Sequence, residues 1–179
     1  MTIAEAAKLN TSNTSVPGTG SKSASLGRFN MTPKNFTWSD RFPLDSSVID
    51  AEDPEKGGIY STYVVGPPEI VGAAGYIPGS EELVYIGAAW GKSGLKSRLK
   101  DRAGSVKNVL PIEDDPNSSL CLEEKWLIRL GLGLEFAYIS GANSRKEATR
   151  WEELKTDEYK ESHGGRRPPG NKINPPRSR

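Results

Sequence analysis

Tyr60, Tyr85 and Arg98 are the residues whose types and spacing could do chemistry together. Tyr60 closes the tripeptide Gly58-Ile59-Tyr60, Tyr85 opens Tyr85-Ile86-Gly87, and a basic run from Gly94 to Arg102 follows. Cleaving a phosphodiester requires a deprotonated water, donors for the charge that builds on phosphorus, and a leaving oxygen that is protonated or bound to metal. Arg98 can present several donors to non-bridging oxygens. A carboxylate can hold Mg²⁺, a hard ion that keeps most of its waters. Tyr60 or Tyr85 could relay a proton from the water, although a phenol of ordinary pKa ~10 needs a metal or a cation beside it to act as a base near neutral pH. Lys92, between the second tripeptide and the basic run, is a candidate for that cation.

These residues need elements to hold them. Gly58 to Val65, rich in β-branched and aromatic residues and bounded by Gly57 and Gly66-Pro67-Pro68, predicts a strand, and Leu83 to Ile86 predicts a second. The Gly, Pro and Ala-containing stretch from Gly66 to Ser80 between them reads as a surface excursion. Gly94 to Ala103 places Leu95 and Leu99 on one stripe and Arg98 and Arg102 on the next, an amphipathic helix that Gly104 is expected to end. Leu120, Leu122, Trp126, Leu127 and Leu130 give a packing helix, and Leu134 to Ile139 alternates as a third strand. Asn143 to Glu147 offers a cap and first turn for a last helix with Ala148, Trp151 and Leu154 as its apolar stripe, running to about Tyr159. Trp126 and Trp151 read as core residues. The expected class is α+β, an α/β sandwich of a small three-stranded mixed or antiparallel sheet flanked by helices.

The chain has 179 residues, room for one domain and an extension. Its mean hydropathy of −0.58 is low for a chain folded end to end. Residues 1–45, rich in Ser, Thr and Asn, read as a flexible tail, residues 46–172 as the folded domain, and residues 173–179 as a basic C-terminal tail. No secretory signal and no membrane span is recognisable, which points to an intracellular site, cytoplasm or nucleus. One cysteine, Cys121, excludes an intrachain disulfide and reads as a small buried side chain; one histidine, His163, gives a zinc site or a Ser-His-Asp arrangement little support. Net charge is only +1, but it is segregated. Lys92, Lys96, Arg98, Lys100, Arg102 and Lys107 fall in one stretch and Arg166, Arg167, Lys172, Arg177 and Arg179 in another, while acidic residues gather at 50–55 and 113–115. Such segregation can give a near-neutral molecule a positive face for phosphates.

With their order and element pattern, the two tripeptides and Leu95-Lys96-Ser97-Arg98-Leu99 resemble the GIY-YIG nuclease family over roughly residues 57–172. The resemblance implies a DNA endonuclease using one divalent metal, Mg²⁺ or Mn²⁺, held by a glutamate of the last helix. It implies catalytic roles for Tyr60, Tyr85 and Arg98, beside which Lys92 stays the candidate helper on chemical grounds, and makes Glu152, four residues after Ala148, the metal ligand. The helical wheel, at ~100° per residue, instead puts Glu147 nearer the centre of the Ala148, Trp151 and Leu154 face, so Glu147 stays as the alternative. The family's final asparagine corresponds to Asn171, with Asn174 nearby. Where many relatives carry a histidine this chain has Arg102, whose permanent charge suits gripping phosphate rather than accepting a proton. Lys96, Lys100, Arg102, Asn171, Arg166 and Arg167 are accordingly expected to contact DNA. Without a separate recognition domain, target reading would fall to the Gly66 to Ser80 insertion, the acidic loop, the tail or a partner subunit, a homodimer being one such arrangement. The competing reading is a nucleic-acid-binding module on the same fold without turnover.

Overall fold

The computed structural model describes residues 36–54, 56–80, 82–92, 94–109 and 118–171. They form a mixed α+β fold around a four-stranded antiparallel sheet. In chain order the elements are β1 (Phe42–Pro43), α1 (Ser46–Glu52), β2 (Gly58–Val65), α2 (Pro68–Ala73), β3 (Leu83–Ala89), α3 (Gly94–Lys107), α4 (Leu122–Arg129), β4 (Gly133–Ser140), α5 (Arg145–Ser162) and a 3₁₀ turn, Pro169–Asn171. The strands lie in the order β1-β4-β2-β3, so β2 is central and β3 is an edge.

Burial of β2 on both faces explains its unbroken apolar and β-branched run. One face sets Tyr60 with Leu95, Leu99 and Ala103 of α3 and with Leu134 and Phe136 of β4. The opposite face sets Ile59 and Ile139 against Ala148 and Trp151 of α5. Because successive strand residues point to opposite faces, α3 and α5 pack on opposite sides of the sheet. Their side chains can share a site only by reaching round an open edge, and β3 provides it.

The register accounts for the glycine of the second tripeptide. Tyr60 lies opposite Gly87 across the β2–β3 pair. A Cβ on Gly87 would stand 2.6 Å from the Tyr85 ring and 2.9 Å from the Tyr60 hydroxyl. Glycine here is the space into which the two tyrosines fit, their ring centroids 6.0 Å apart.

Several expectations are corrected. The sheet has four strands rather than three, because β1 pairs Phe42 with Phe136. The tail therefore does not extend to residue 45: Phe36 meets Trp151 edge-on at 5.6 Å, Trp38 packs in the same cluster, and the Ser39 N–H donates to the Tyr138 carbonyl. These aromatics bury area that the polar composition around them conceals. Residues 1–35, most of the acidic loop at 112–119, and residues 172–179 with Asn174 lie outside the described residues. The Gly66 to Ser80 insertion contains α2 and buries Val71 and Tyr76 against Val64, Val84 and Leu127. Gly104 does not end α3, which runs to Lys107; a helical glycine costs only ~1 kcal/mol, and the packing of Ala103 and Val106 offsets it. On α4 the buried residues are Glu124 and Leu127, while Leu122, Trp126 and Leu130 are exposed, so Trp126 is not a core residue. Trp151 is, as expected.

Candidate active site

At the Ala89 end of β3, Arg98 of α3 and Glu152 of α5 line one cavity of about 540 Å³, together with Trp90, Asp101, Arg145 and Thr149. Helix α3 brings Arg98 there because Leu95 and Leu99, both fully buried, fix the helix face on the sheet and leave Arg98 at the margin. Ala148, Trp151 and Thr156 are the buried residues of α5. At ~100° per residue, Glu152 falls inside the arc those three define, whereas Leu154, which is only partly buried, does not. Treating Leu154 as core is what turned the helical wheel toward Glu147. Glu147 serves the helix end instead. Its carboxylate accepts the N–H of Asn143, the residue before the Ser144 cap, at 2.7 Å, while its own N–H donates to Ser144 Oγ at 3.1 Å, and both bonds serve the start of α5. The alternative metal ligand is thereby corrected to a helix cap.

Burial raises the Glu152 pKa above the ordinary carboxylate value, a hydrogen bond from the Ala88 N–H opposes the shift, and the charge of Glu153 adds to it. Its carboxylate thus sits on the open edge of β3. Two residues along, Asn171 occupies the same edge: Oδ1 accepts the Ile86 N–H at 2.8 Å and Nδ2 donates to the Ile86 carbonyl at 2.6 Å. The Asn171 amide stands in for a missing strand, so its hydrogen-bonding groups serve β3 rather than DNA. Glu152, Asn171 and Arg167 also line a second, smaller cavity of about 420 Å³. Arg166 and Arg167 are exposed.

The tyrosines lie on the α3 side of the strand. Tyr60 is 1 % exposed, with its hydroxyl 3.3 Å from Arg102 Nη1. It is closed to water, and the expected proton relay through Tyr60 is corrected to a packing role. Tyr85 is half-buried at the edge. Burial pushes its hydroxyl well above the ordinary phenol value; the neighbouring Tyr60 adds to this, the Arg102 charge opposes it, and Glu152 and Glu124 raise it further. Tyr85 therefore holds its proton throughout the neutral range.

Arg102 is the largest departure from the sequence-based expectation. Its side chain is 1 % exposed and paired with Glu124 of α4, itself fully buried. Nη1 also donates to the Ser119 carbonyl at 2.8 Å, and the guanidinium carbon stands 4.7 Å from the Tyr85 ring centroid and 5.2 Å from that of Tyr60. Glu124 further accepts the Thr62 hydroxyl at 2.6 Å and the Cys121 N–H at 2.8 Å. Burial is the strongest influence and works against the charge of Arg102, but the charge and hydrogen bond of Glu124 together with Tyr60 and Tyr85 outweigh it, so the guanidinium stays above its ordinary pKa. Arg102 has no face left for a phosphate, and the DNA contact expected of it is corrected. Cys121, half-buried at the start of α4, has its thiol pushed up to about 12 by burial and by Glu124.

Lys92 does not join Arg98 and Glu152. It lines a neighbouring cavity of about 860 Å³, with Trp90 and Gly94 bordering both. Lys96 and Lys100 are tied to α1, with Lys96 Nζ 2.7 Å from Asp53 and Lys100 Nζ 2.7 Å from Asp50. Part of the positive run is thus answered by the acidic stretch that precedes β2. Asp101 and Arg145 are cavity residues that sequence reasoning missed. Asp101 stands three places from Arg98 on one helix face, a spacing that could have marked it.

Among the described residues no group of three or more His, Cys, Asp or Glu side chains encloses a metal site. The donor set on the cavity wall, the Glu152 and Asp101 carboxylates, is oxygen only. That fits a hard divalent cation held through one or two carboxylates and otherwise by water. Also among the described residues, no helix is long and apolar enough to cross a membrane. No family model, curated protein or solved structure matches the chain.

Proposed function

We propose that the chain is a metal-dependent DNA endonuclease of the GIY-YIG type, hydrolysing phosphodiesters of a restriction-like or mobile-element kind. The observation that supports it most is the meeting of Arg98 and Glu152, from helices on opposite faces of the sheet, in one cavity at the end of the Tyr85-bearing strand. Arg98 donates to the non-bridging oxygens and stabilises the charge that grows there. Glu152 and Asp101, both on the cavity lining, would hold a divalent cation, which would supply Lewis acidity and lower the pKa of its water. Tyr85, outside the lining of that cavity and kept protonated by burial, is not the base and acts by packing at the strand that carries the site. Asn171 keeps β3 straight beneath the site through Ile86.

Nicking of supercoiled plasmid with Mg²⁺ or Mn²⁺ tests the proposal. Arg98→Ala and Glu152→Ala should each lower the rate by about 10²-fold or more, as expected for groups that meet the charge of the transition state. Glu147→Ala should cost ~1 kcal/mol of stability as a lost cap, yet leave nicking intact. A wild-type protein that does not nick, or a Glu152→Ala variant that nicks as well as wild type, would falsify it. The second reading, a DNA-binding module without turnover, is favoured by the closure of Tyr60 and Arg102, which removes two polar groups from solvent. DNA binding without nicking under any divalent ion would select it.

A further inference from the structure

The cavity beyond Trp90 is larger than the one holding Arg98 and Glu152, and the nuclease reading leaves it without a role. Among the described residues, Lys56, Lys92, Lys96 and Lys100 line it with one carboxylate, that of Asp53, and with Ser97 and Asn143 as neutral polar groups. Its volume of about 860 Å³ is within the ~300–1,000 Å³ typical of small-ligand sites. Lys96 and Lys100 are engaged by α1, whereas Lys56 and Lys92 are exposed.

Trp90 lines both cavities and is 41 % exposed. Its position is fixed from behind. A Cβ on Gly57 would stand 2.3 Å from Trp90 Cε3 and 2.5 Å from the Ala142 carbonyl oxygen, so the indole rests against bare backbone. That backbone is itself pinned, since the Gly57 carbonyl accepts the N–H groups of Gly141 and Ala142 at 2.9 and 3.2 Å. The result is a supported aromatic surface that borders both the lysine-lined cavity and the Arg98–Glu152 cavity.

We infer that Trp90 and the lysine-lined cavity seat an unpaired nucleotide of the DNA strand whose neighbouring phosphodiester enters the Arg98–Glu152 cavity. The inference rests on the reading of the chain as acting on DNA and narrows its substrate to strands with at least one base out of the stack. A base inside a duplex offers a groove only its edge; an indole can stack only on a base whose face is free. Lys56 and Lys92, as point charges on flexible stems, suit the flanking phosphates rather than base edges.

The test is binding of a short labelled single-stranded oligonucleotide and of the blunt duplex of the same sequence, by fluorescence anisotropy with the full chain in EDTA. Trp90→Ala should weaken single-strand binding about 5- to 150-fold, the range for one lost base stack, and leave duplex binding within about twofold. Trp90→Phe should recover most of the loss. Lys56→Gln with Lys92→Gln should weaken both and flatten the salt dependence. Equal losses on strand and duplex, or none, overturn the inference. Should Trp90→Ala fail to fold, photocrosslinking of a bromodeoxyuridine-substituted strand to the wild-type protein still decides: a crosslinked peptide containing Trp90 supports the assignment, and one from elsewhere refutes it. Binding is read without metal and cleavage is not required. Trp90-dependent strand binding without nicking would remove the nuclease reading alone, and nicking indifferent to Trp90 would remove the inference alone.

Discussion

Glu124→Ala should be among the most destabilising single substitutions in the domain. The variant leaves the Arg102 guanidinium, 1 % exposed, without its counter-charge, and strips acceptors from the Thr62 hydroxyl and the Cys121 N–H. Removing one partner of a buried ion pair costs about 3–5 kcal/mol, mostly because the other charge stays buried and uncompensated. With a urea m-value of ~2 kcal/mol/M for a domain of this size, the unfolding midpoint should fall by about 1.5–2.5 M. Arg102→Met alone should cost a comparable amount, since it leaves a buried carboxylate. Combining it with Glu124→Leu should cost clearly less than the two single changes together, because no charge then remains to be solvated. Urea titrations of the wild type, both singles and the double close the cycle, with a coupling of about 2 kcal/mol or more expected. Additivity within ~0.5 kcal/mol, or a Glu124→Ala midpoint within ~0.3 M of wild type, would show that the pair is not buried as described.

Glu152→Gln should stabilise the protein near neutral pH. The folded state binds the Glu152 proton more tightly than the unfolded state does, so stability falls as pH rises from the ordinary value of 4.5 through the raised one. Glutamine keeps an acceptor for the Ala88 N–H without the charge, so its advantage in Tm should appear above that window and vanish below it; a lower Tm than wild type at neutral pH refutes the account. Mg²⁺ should raise the Tm of wild type but not of Glu152→Gln, a readout of metal binding independent of turnover. Asn171→Ala removes both hydrogen bonds to Ile86 and should cost ~1–2 kcal/mol, with faster exchange of the Ile86 amide; unchanged protection there would mean the edge is closed by something else.

Much of this scaffold is legible in the chain because local pattern and tertiary environment agree. The β-branched run of β2, the alternation in β4 and the leucines of α3 each lie where periodicity puts them. The misses share a cause. α1, with 7 residues, and β1, with 2, are too short to show a period, and they fold because Ile49 and Phe42 find partners far along the chain. α4 has too few apolar residues facing inward to reveal its orientation, because one inward position is Glu124.

Arg98 and Arg102 make the limit concrete, for they are one helical turn apart on the same stripe and identical in type. Nothing local separates them. The separation comes from α4, which delivers Glu124 to the deeper arginine and leaves the outer one at the cavity. The paired arginine in turn stands beside the rings of Tyr60 and Tyr85, and Gly87 makes room for both. The tripeptides therefore act first as architecture. Tyr60, Gly87 and Arg102 form a buried wedge beside the half-buried Tyr85, and the polar groups left accessible are those at its margin: Arg98 from one face and Glu152 from the other. A change within the wedge should therefore reach chemistry through the position of β3, whereas a change at Arg98 or Glu152 should reach it directly, with the fold intact.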